Sequence, residues 1–137
     1  MTVIEKFSVK TNGYTDIIDI TQYVENILTR TKATKGLVNI SCPGSTGGIT
    51  TIEYEPGLIK DIATCLEKYL PYKESYAHHN TWHDDNGSSH LRSAFIQPTF
   101  TVPFENKRPI LGTWQQIVFI DFDTRPRNRI LYVTIIT

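Results

Sequence analysis

Apolar residues in the first part of the chain change from strand-like to helix-like spacing. Residues 3–9 alternate imperfectly between apolar and polar side chains and lead to the turn dipeptide Asn12-Gly13, which predicts an opening hairpin that ends near Ile20. Thr21 is a candidate N-cap for the helix that follows. The apolar face of this short amphipathic helix consists of Val24, Ile27 and Leu28.

The middle of the chain predicts two further strands and a second helix. Residues 37–42 and 49–54 are rich in β-branched side chains, and the Gly-rich stretch 43–48 between them predicts a flexible connection. Pro56 suits the first turn of a helix, and Pro71 would stop it. The helical repeat in this segment is formed by Leu58, Ile59, Ile62 and Leu66.

The segment after Pro71 has no sustained periodicity, so we predict a long loop of the kind that is usually functional or disordered. Strand-like runs return from Thr99 onwards. The predicted strands cover residues 100–104, 110–122 and 130–136.

The order of these elements predicts an α+β fold, with residues 1–137 forming a single domain. Several late strands are apolar on both faces, as in residues 117–120 and 130–133. A domain of this size cannot easily cover both faces by itself, so the pattern indicates either a two-sheet sandwich with outer helices or strands that pack on another subunit.

Charge and composition narrow the range of partners. Fourteen basic and fourteen acidic residues leave no net charge, which argues against nucleic acid as a partner. No apolar run approaches the roughly 20 residues of a membrane span, so we expect a soluble, cytoplasmic protein without a membrane partner. Cys42 and Cys65 do not form a disulfide framework, and we expect two buried, reduced thiols.

All four histidines fall within residues 78–90, in a polar segment that also contains Asp84, Asp85 and Asn86. Imidazole is the side chain best suited to bind a transition metal or to transfer a proton near neutral pH. This histidine segment is therefore where we expect function. Asp85 and Asn86 would lie beside His90 for metal or substrate binding, although Asp-Asn-Gly is also a good turn sequence that needs no chemistry.

Other candidate groups each have a structural alternative. Ser45 and Thr46 belong to a Gly-rich stretch that could bind a phosphate through backbone amides and hydroxyls, or could simply connect two strands. Arg92 could add a positive charge to such a site. Glu53 could act as a general base or metal partner, or it could be a helix-capping or solvated glutamate.

The late strands contain a further candidate, Gln115, next to Trp114. We expect Trp114 to pack in the core, and alternation along an extended strand would then let Gln115 face a cleft, although the reverse arrangement is equally compatible with the sequence. The arginines of residues 125–129 fit a solvated turn better than a site for an acidic partner.

Three stretches of the chain resemble the YjbQ family, also called the secondary thiamine-phosphate synthase family. They are residues 44–55, residues 76–90 and, most specifically, the Leu-Gly-Thr-Trp-Gln-Gln-Ile motif of residues 111–117. The resemblance spans nearly the whole chain. It implies an α+β sandwich that assembles as a homotrimer, polar clefts near subunit boundaries, and a weak ability of some members to make thiamine phosphate from a pyrimidine diphosphate and a thiazole phosphate.

The resemblance also implies a set of site residues. His79 and His90 match positions that would hold a divalent ion, zinc or magnesium, but Gly44 and Ser88 stand where many relatives have further histidines. The implied catalytic residues are Glu53, Asp85 and His90. The implied residues for a small phosphorylated or heterocyclic ligand are Ser45, Thr46, Asn86, Arg92 and Gln115.

Three hypotheses follow from this assignment. The first is a metal-assisted enzyme, and the second is a non-catalytic trimer that binds a metal or a small ligand. The third is a purely structural assembly in which His79 and His90 only pin a loop by hydrogen bonds.

Overall fold

Two antiparallel sheets organise the chain in the computed structural model, which describes residues 1–137. The strands are β1 (Thr2–Thr11), β2 (Asp16–Asp19), β3 (Lys35–Ser41), β4 (Gly47–Ile52), β5 (Thr99–Glu105), β6 (Arg108–Pro109), β7 (Gln116–Asp121) and β8 (Arg127–Ile136). The helices are α1 (Thr21–Arg30), α2 (Pro56–Tyr69), α3 (Ala77–Trp82) and α4 (Gly87–Ile96). This content confirms the α+β prediction.

The five-stranded sheet has the order β1-β8-β3-β5-β6, and the three-stranded sheet has the order β2-β7-β4. The predicted opening hairpin is wrong, because β1 pairs with β8 and β2 pairs with β7. Gly13, Tyr14 and Thr15 all have positive φ angles, which turn the chain away from β1 instead of folding it back. The amides of Tyr14 and Thr15 donate to carbonyls of Asp123 and Asp121.

Strands β3 and β4 form where they were predicted, but they belong to different sheets. The Gly-rich connection between them, residues 42–46, therefore crosses from one sheet to the other and does not close a hairpin. This crossing brings Ser45 and Thr46 to the end of β7, because Gly47 pairs with Asp121 in the three-stranded sheet.

The main core lies between the inner face of the five-stranded sheet, the three-stranded sheet and α1. It contains Val38 and Ile40 from β3, Leu131, Val133 and Ile135 from β8, Ile117 and Phe119 from β7, and Val24, Ile27 and Leu28 from α1. The predicted apolar face of α1 is thus confirmed. Burial of these side chains is the main stabilising contribution, at about 1.5–3 kcal/mol for each fully buried large apolar side chain.

A smaller core covers the opposite face of the three-stranded sheet. Val118, Ile120 and Phe122 point into it, and the helix α2 packs over them through Ile59, Ile62 and Leu66. The start of α2 follows the prediction, since Pro56 is its first residue and Glu55 caps it. The helix ends at Tyr69, before Pro71.

The histidine segment is not the loop predicted from its lack of periodicity, because it contains the helices α3 and α4. The buried face of α4 carries Ser88, Ser89, Arg92 and Ser93, whereas Leu91 and Phe95 are exposed. Because the polar side chains are buried and the apolar ones are exposed, apolar periodicity does not reveal this helix.

The last part of the chain departs from the prediction in two places. The expected strand over residues 110–122 is confined to β7, and the residues before it form a turn. Trp114 lies on this turn with 71% of its surface exposed, so the expected core packing of Trp114 is wrong. Cys65 also differs from expectation, since it is exposed while Cys42 is buried.

The outer face of the five-stranded sheet carries a set of exposed apolar side chains, namely Ile4, Leu37, Ile130, Tyr132 and Ile136. Pairing between β1, β8 and β3 brings these positions together on one surface. No helix in the structure is long and apolar enough to cross a membrane.

Candidate functional site

Three segments that are far apart in sequence meet at one end of the three-stranded sheet. They are the β3–β4 connection, the histidine segment with the start of α4, and the β7–β8 turn. Thr46 accepts a hydrogen bond from Arg129, and the backbone of Ser45 lies beside His90. Thr124 donates to Asp85 at 3.2 Å. These contacts join all three segments into one polar cluster.

A buried ion pair forms the base of this cluster. Arg129 donates two hydrogen bonds of 2.8 Å to the carboxylate of Asp121, which is fully buried, and a third of 2.7 Å to Thr46. Thr11 donates to the same carboxylate at 2.6 Å. Burial by itself raises the pKa of Asp121, but the hydrogen bonds from Arg129 and Thr11 outweigh it, so this pKa lies below its ordinary value.

A second ion pair continues the cluster towards the surface. Arg127 donates from Nε to Asp123 at 2.8 Å, and the backbone amide of Thr124 donates to the other carboxylate oxygen at 2.9 Å. Burial opposes ionisation here too, yet the bonds from Arg127 and Thr124 bring the pKa of Asp123 below its ordinary value. Asn86 lies next to Asp123 and Asp84. The β7–β8 turn is thus held by charges within the chain.

His90 lies against His78 in this cluster. Their ring centres are 4.4 Å apart, and Nδ1 of His78 is 3.0 Å from a carboxylate oxygen of Asp84. Burial lowers the pKa of His90, and the neighbouring His78 lowers it further. Asp123 and Asp84 act in the opposite direction without cancelling the shift. The neutral imidazole of His90 is therefore favoured near pH 7, which suits it to accept a proton.

His79 fixes the backbone of the segment. Its Nε2 accepts a hydrogen bond of 3.0 Å from the amide of Gly87, the first residue of α4. A side chain at Gly87 would meet Tyr76 at 2.7 Å, so only glycine fits this close approach. The lone pair of Nε2 is used by this bond, which assigns the proton to Nδ1 of the neutral ring.

An open cleft of about 340 Å³ lies beside the cluster. Its walls include His79, Asp85, Thr124, Lys73 and Tyr72. Lys73 forms no salt bridge within the chain and offers a free positive charge to a ligand. Burial raises the pKa of Tyr72, so its hydroxyl stays protonated, and it donates its proton to the carbonyl of Phe122 at 2.9 Å.

The residues of one chain do not fit the divalent ion that the resemblance implies. His79 already accepts a hydrogen bond through Nε2, and Gly44 and Ser88 contribute no imidazole. No group of three or more histidine, cysteine, aspartate or glutamate side chains is arranged to hold a metal ion. His79 instead acts as a hydrogen-bonding residue that pins the segment.

Arg92 is buried behind Tyr72 and is not the exposed arginine that a phosphate site would use. Only 1% of it is exposed, and its guanidinium donates to Leu70, Ser88, Thr15 and Glu67. It also stacks on the ring of Tyr72, with Cζ 3.9 Å from the ring centre. This arginine joins α4 to the end of α2.

Glu53 and Gln115 lie at the opposite end of the three-stranded sheet from Ser45 and Thr46. Strand β4 separates Thr46 from Glu53, which at about 3.3 Å per residue corresponds to roughly 20 Å. Gln115 donates to Thr51 at 2.9 Å. Within one chain, these two residues therefore cannot act together with His90.

The family model described as UPF0047 protein YjbQ-like matches residues 5–137. The chain belongs to the YjbQ-like family. This confirms the resemblance carried by residues 44–55, 76–90 and 111–117.

Relatives of this YjbQ-like chain align over most of their length. A UPF0047 protein of Archaeoglobus fulgidus is 36% identical over 90% of this chain and 94% of its own. The UPF0047 protein YugU of Bacillus subtilis is 35% identical over 96% of this chain and 97% of its own. A crystal structure of a YbjQ-like protein of unknown function from Sulfolobus solfataricus superposes with a TM-score of 0.91 at 29% identity, covering 98% of this chain and 96% of the other.

Two ion pairs support the YjbQ-like site that were not predicted from the sequence, namely Asp121 with Arg129 and Asp123 with Arg127. The prediction of a solvated turn over residues 125–129 is wrong for Arg129, whose side chain is only 11% exposed and pairs with the buried Asp121. The available signal was the Asp-Phe-Asp stretch at the end of an apolar strand, followed by arginines at alternate positions. Alternation on β8 places Arg127 and Arg129 on the same side, where both meet buried carboxylates.

Proposed function

We propose that this YjbQ-like chain binds a small phosphorylated or heterocyclic ligand in the cleft lined by Lys73, His79 and Asp85, and catalyses a slow group transfer on it. The observation that carries the proposal is an open cleft with an unpaired lysine, Lys73, at the place where Thr124 of the β7–β8 turn bonds Asp85 of the histidine segment. The candidate reaction is the condensation of a pyrimidine diphosphate with a thiazole phosphate to give thiamine phosphate.

In this reaction the bond between the pyrimidine methylene carbon and the diphosphate oxygen breaks, and the thiazole nitrogen forms a new bond to that carbon. Diphosphate leaves with the electron pair. The protein has to bind the diphosphate and exclude water from the reactive carbon. Lys73 supplies the positive charge for the diphosphate, and Tyr72 forms part of the cleft wall. Catalysis by so few groups is slow.

His90 is a positioning residue in this proposal, because it lies against His78 and not in the cleft wall. Its lowered pKa keeps the ring neutral near pH 7, and the group transfer itself moves no proton. Asp85 lies in the cleft wall and binds Thr124, so it positions the ligand in this proposal. Ser45 and Thr46 hold the floor of the site through His90 and Arg129.

We also propose that the chain assembles as a homotrimer through the exposed apolar face of the five-stranded sheet. Leu37 and Ile136 are partners in the sheet register, and both are about half exposed on this face. An apolar surface of this kind favours burial against another subunit. Sedimentation velocity of the purified protein measures the mass, and a monomer at micromolar concentration would contradict this assembly.

A non-catalytic role as a small-ligand-binding trimer is the second candidate. It is favoured by the fact that Asp121, Asp123 and His79 are all bonded within the chain. These bonds leave few groups free for chemistry, although Lys73 would still allow a ligand to bind.

The experiment combines binding and turnover in the same preparations. Isothermal titration with the pyrimidine diphosphate measures binding, and conversion of the product to fluorescent thiochrome measures thiamine phosphate formation. We expect His90→Ala to lower turnover by about a hundredfold, as for a misplaced substrate, with little change in binding. Lys73→Met should weaken binding.

His83→Asn is the matched control. His83 has a left-handed backbone conformation at the end of α3, which asparagine tolerates, and it is not among the groups that shift the pKa of His90. Equal turnover in His90→Ala and His83→Asn would remove the proposed role of His90. Binding that depends on Lys73, without product formation in the unmodified protein, would support the non-catalytic candidate.

A further inference from the structure

A second groove, unrelated to His90, lies between the end of β4 and the turn before β7. It has a volume of about 410 Å³. Its walls include Thr51, Glu53, Thr113, Trp114 and Gln115. It lies at the end of the three-stranded sheet remote from Ser45 and Thr46.

The turn that carries Trp114 is held in place by several hydrogen bonds. The amide of Gly112 donates to the side-chain oxygen of Gln115 at 2.9 Å, and the amide of Gln115 donates to the carbonyl of Gly112 at 3.1 Å. The side-chain nitrogen of Gln115 then donates to Thr51 on β4 at 2.9 Å. Gln115 thus anchors the turn to the sheet, and the indole ring is presented in a preorganised position.

The side chain of Trp114 is mainly exposed and is not packed in either core of the chain. A tryptophan usually buries most of its large apolar area, yet here the ring is mainly exposed beside a polar groove. The side chain donates no hydrogen bond within the chain. An exposed tryptophan on a rigid turn is typical of a surface that binds a ligand.

Glu53 gives this groove its charge. The side chain is exposed, and it makes no ion pair with any lysine or arginine of the chain. The other residues that line the groove are neutral. Its neighbour Glu55, by contrast, uses its carboxylate to cap α2. The groove therefore combines an aromatic face with a free negative charge.

We propose that this groove binds the cationic group of a small organic molecule, a quaternary ammonium or a guanidinium. The face of an indole attracts such cations through its quadrupole, and tryptophan is the best of the aromatic side chains for this interaction. The carboxylate of Glu53 adds a direct charge interaction from the side. In this assignment Glu53 and Gln115 are binding and positioning residues and not parts of the catalytic site.

The test uses the fluorescence of Trp114. The chain has two tryptophans, so Trp82→Phe leaves Trp114 as the only indole that reports. Choline carries a quaternary ammonium, and 3,3-dimethyl-1-butanol has the same shape without the charge. We expect choline to change the fluorescence saturably and the neutral alcohol to bind about tenfold more weakly, as a cation–π contact requires. Sodium chloride at equal ionic strength corrects for screening.

Two variants in the Trp82→Phe background identify the groove. Glu53→Gln keeps the shape and removes the charge, and we expect it to weaken choline binding severalfold. Glu105→Gln is the matched control, because Glu105 is also an exposed glutamate but lies on β5 in the other sheet. Trp114→Leu, followed by calorimetry in place of fluorescence, should abolish binding.

Several outcomes would overturn the proposal. Equal binding of choline and its neutral analogue would make the groove merely apolar, and equal effects of Glu53→Gln and Glu105→Gln would place the cation elsewhere. If choline does not bind and Glu53→Gln or Trp114→Leu dissociates an oligomer in sedimentation velocity, the groove is a subunit contact. None of these results bears on the proposed role of His90, which is tested by turnover.

Discussion

Arg129 and Asp121 form a two-point ion pair, in which Nε and Nη2 of the arginine each donate to a different carboxylate oxygen at 2.8 Å. Asp121 is the last residue of β7, and Arg129 lies near the start of β8. The pair therefore joins the two sheets. Because Arg129 also donates to Thr46, it sets the position of the β3–β4 connection next to the candidate site.

Replacing Arg129 with methionine tests this role. The change would keep much of the side-chain volume but leave the buried carboxylate of Asp121 without its cation. Removing one partner of a buried pair is strongly destabilising, so we expect the free energy of unfolding to fall by about 3 kcal/mol or more. Urea denaturation followed by circular dichroism measures this change.

Arg125→Met is the control for the loss of charge alone. Arg125 lies on the same β7–β8 turn but is exposed and forms no salt bridge. We expect a change within about 0.5 kcal/mol. Similar values for the two variants would mean that the Arg129 pair contributes no more than a surface charge.

The helix α2 and the strand β8 show which parts of this fold are readable from sequence. Both carry an apolar periodicity that matches their burial, with Ile59 and Ile62 of α2 packed against the core and Leu131, Val133 and Ile135 of β8 inside it. Helix α4 could not be predicted from apolar periodicity, because its buried face is made of serines and Arg92. Burial of small and hydrogen-bonded polar groups leaves no apolar repeat to detect.

Some residues of the candidate site could be predicted from the sequence, and others could not. Sequence alone located the histidine segment and the β3–β4 connection, and these meet at His90 and Ser45. It could not tell which histidine would serve as a structural acceptor, because the bond from Gly87 to His79 depends on how α3 and α4 pack. Within one chain, Glu53 and Gln115 lie apart from His90, because they are at the opposite end of the three-stranded sheet from Thr46.

The pKa of His90 gives a prediction on pH dependence. Burial and the neighbouring His78 lower this pKa from the ordinary value of 6.5. The unfolded chain therefore takes up a proton at this residue at a higher pH than the folded chain does. Stability from the neutral His90 is present above about pH 6.5 and is lost as the pH falls below that value, until the folded pKa is reached.

An NMR titration of the imidazole protons checks this shift directly. His78→Gln removes one of the two causes that lower the pKa of His90, so we expect this pKa to rise in the variant. His83→Asn should leave it unchanged, since His83 is not among the groups that shift it. A pKa of His90 at or above 6.5 in the unmodified protein would contradict the prediction.

A substitution of Glu55 tests how much its N-cap hydrogen bonds stabilise the start of α2. Its carboxylate accepts hydrogen bonds from the amides of Gly57, at 2.8 Å, and Leu58, which satisfies two of the free donors at the helix start. We expect Glu55→Ala to lower the free energy of unfolding by about 1 kcal/mol, measured by urea denaturation. Glu53→Ala, two residues earlier and without a cap bond, should change it far less. A larger loss in Glu53→Ala would show that the cap is not what stabilises this region.

Ser89 and Ser93 lie on the same face of α4, and both are buried. They allow a buried hydroxyl with a hydrogen-bond partner to be compared with one that has none. Ser93 donates from Oγ to the carbonyl of Gly47 at 2.6 Å, and this bond ties α4 to the start of β4. Ser89, one helical turn earlier, is fully buried and its hydroxyl has no partner. An unpaired buried hydroxyl is costly, whereas a paired one contributes about 1 kcal/mol.

The two alanine variants should therefore have different effects on the free energy of unfolding. Ser93→Ala removes a bond and leaves the Gly47 carbonyl short of a donor, so we expect a loss of about 1 kcal/mol in the free energy of unfolding. Ser89→Ala removes only an unpaired hydroxyl and should be neutral or slightly stabilising. Chemical denaturation of both variants compares them directly. A loss in Ser89→Ala equal to that in Ser93→Ala would mean that Ser89 has a bonding partner in solution, such as a buried water molecule at the start of α4.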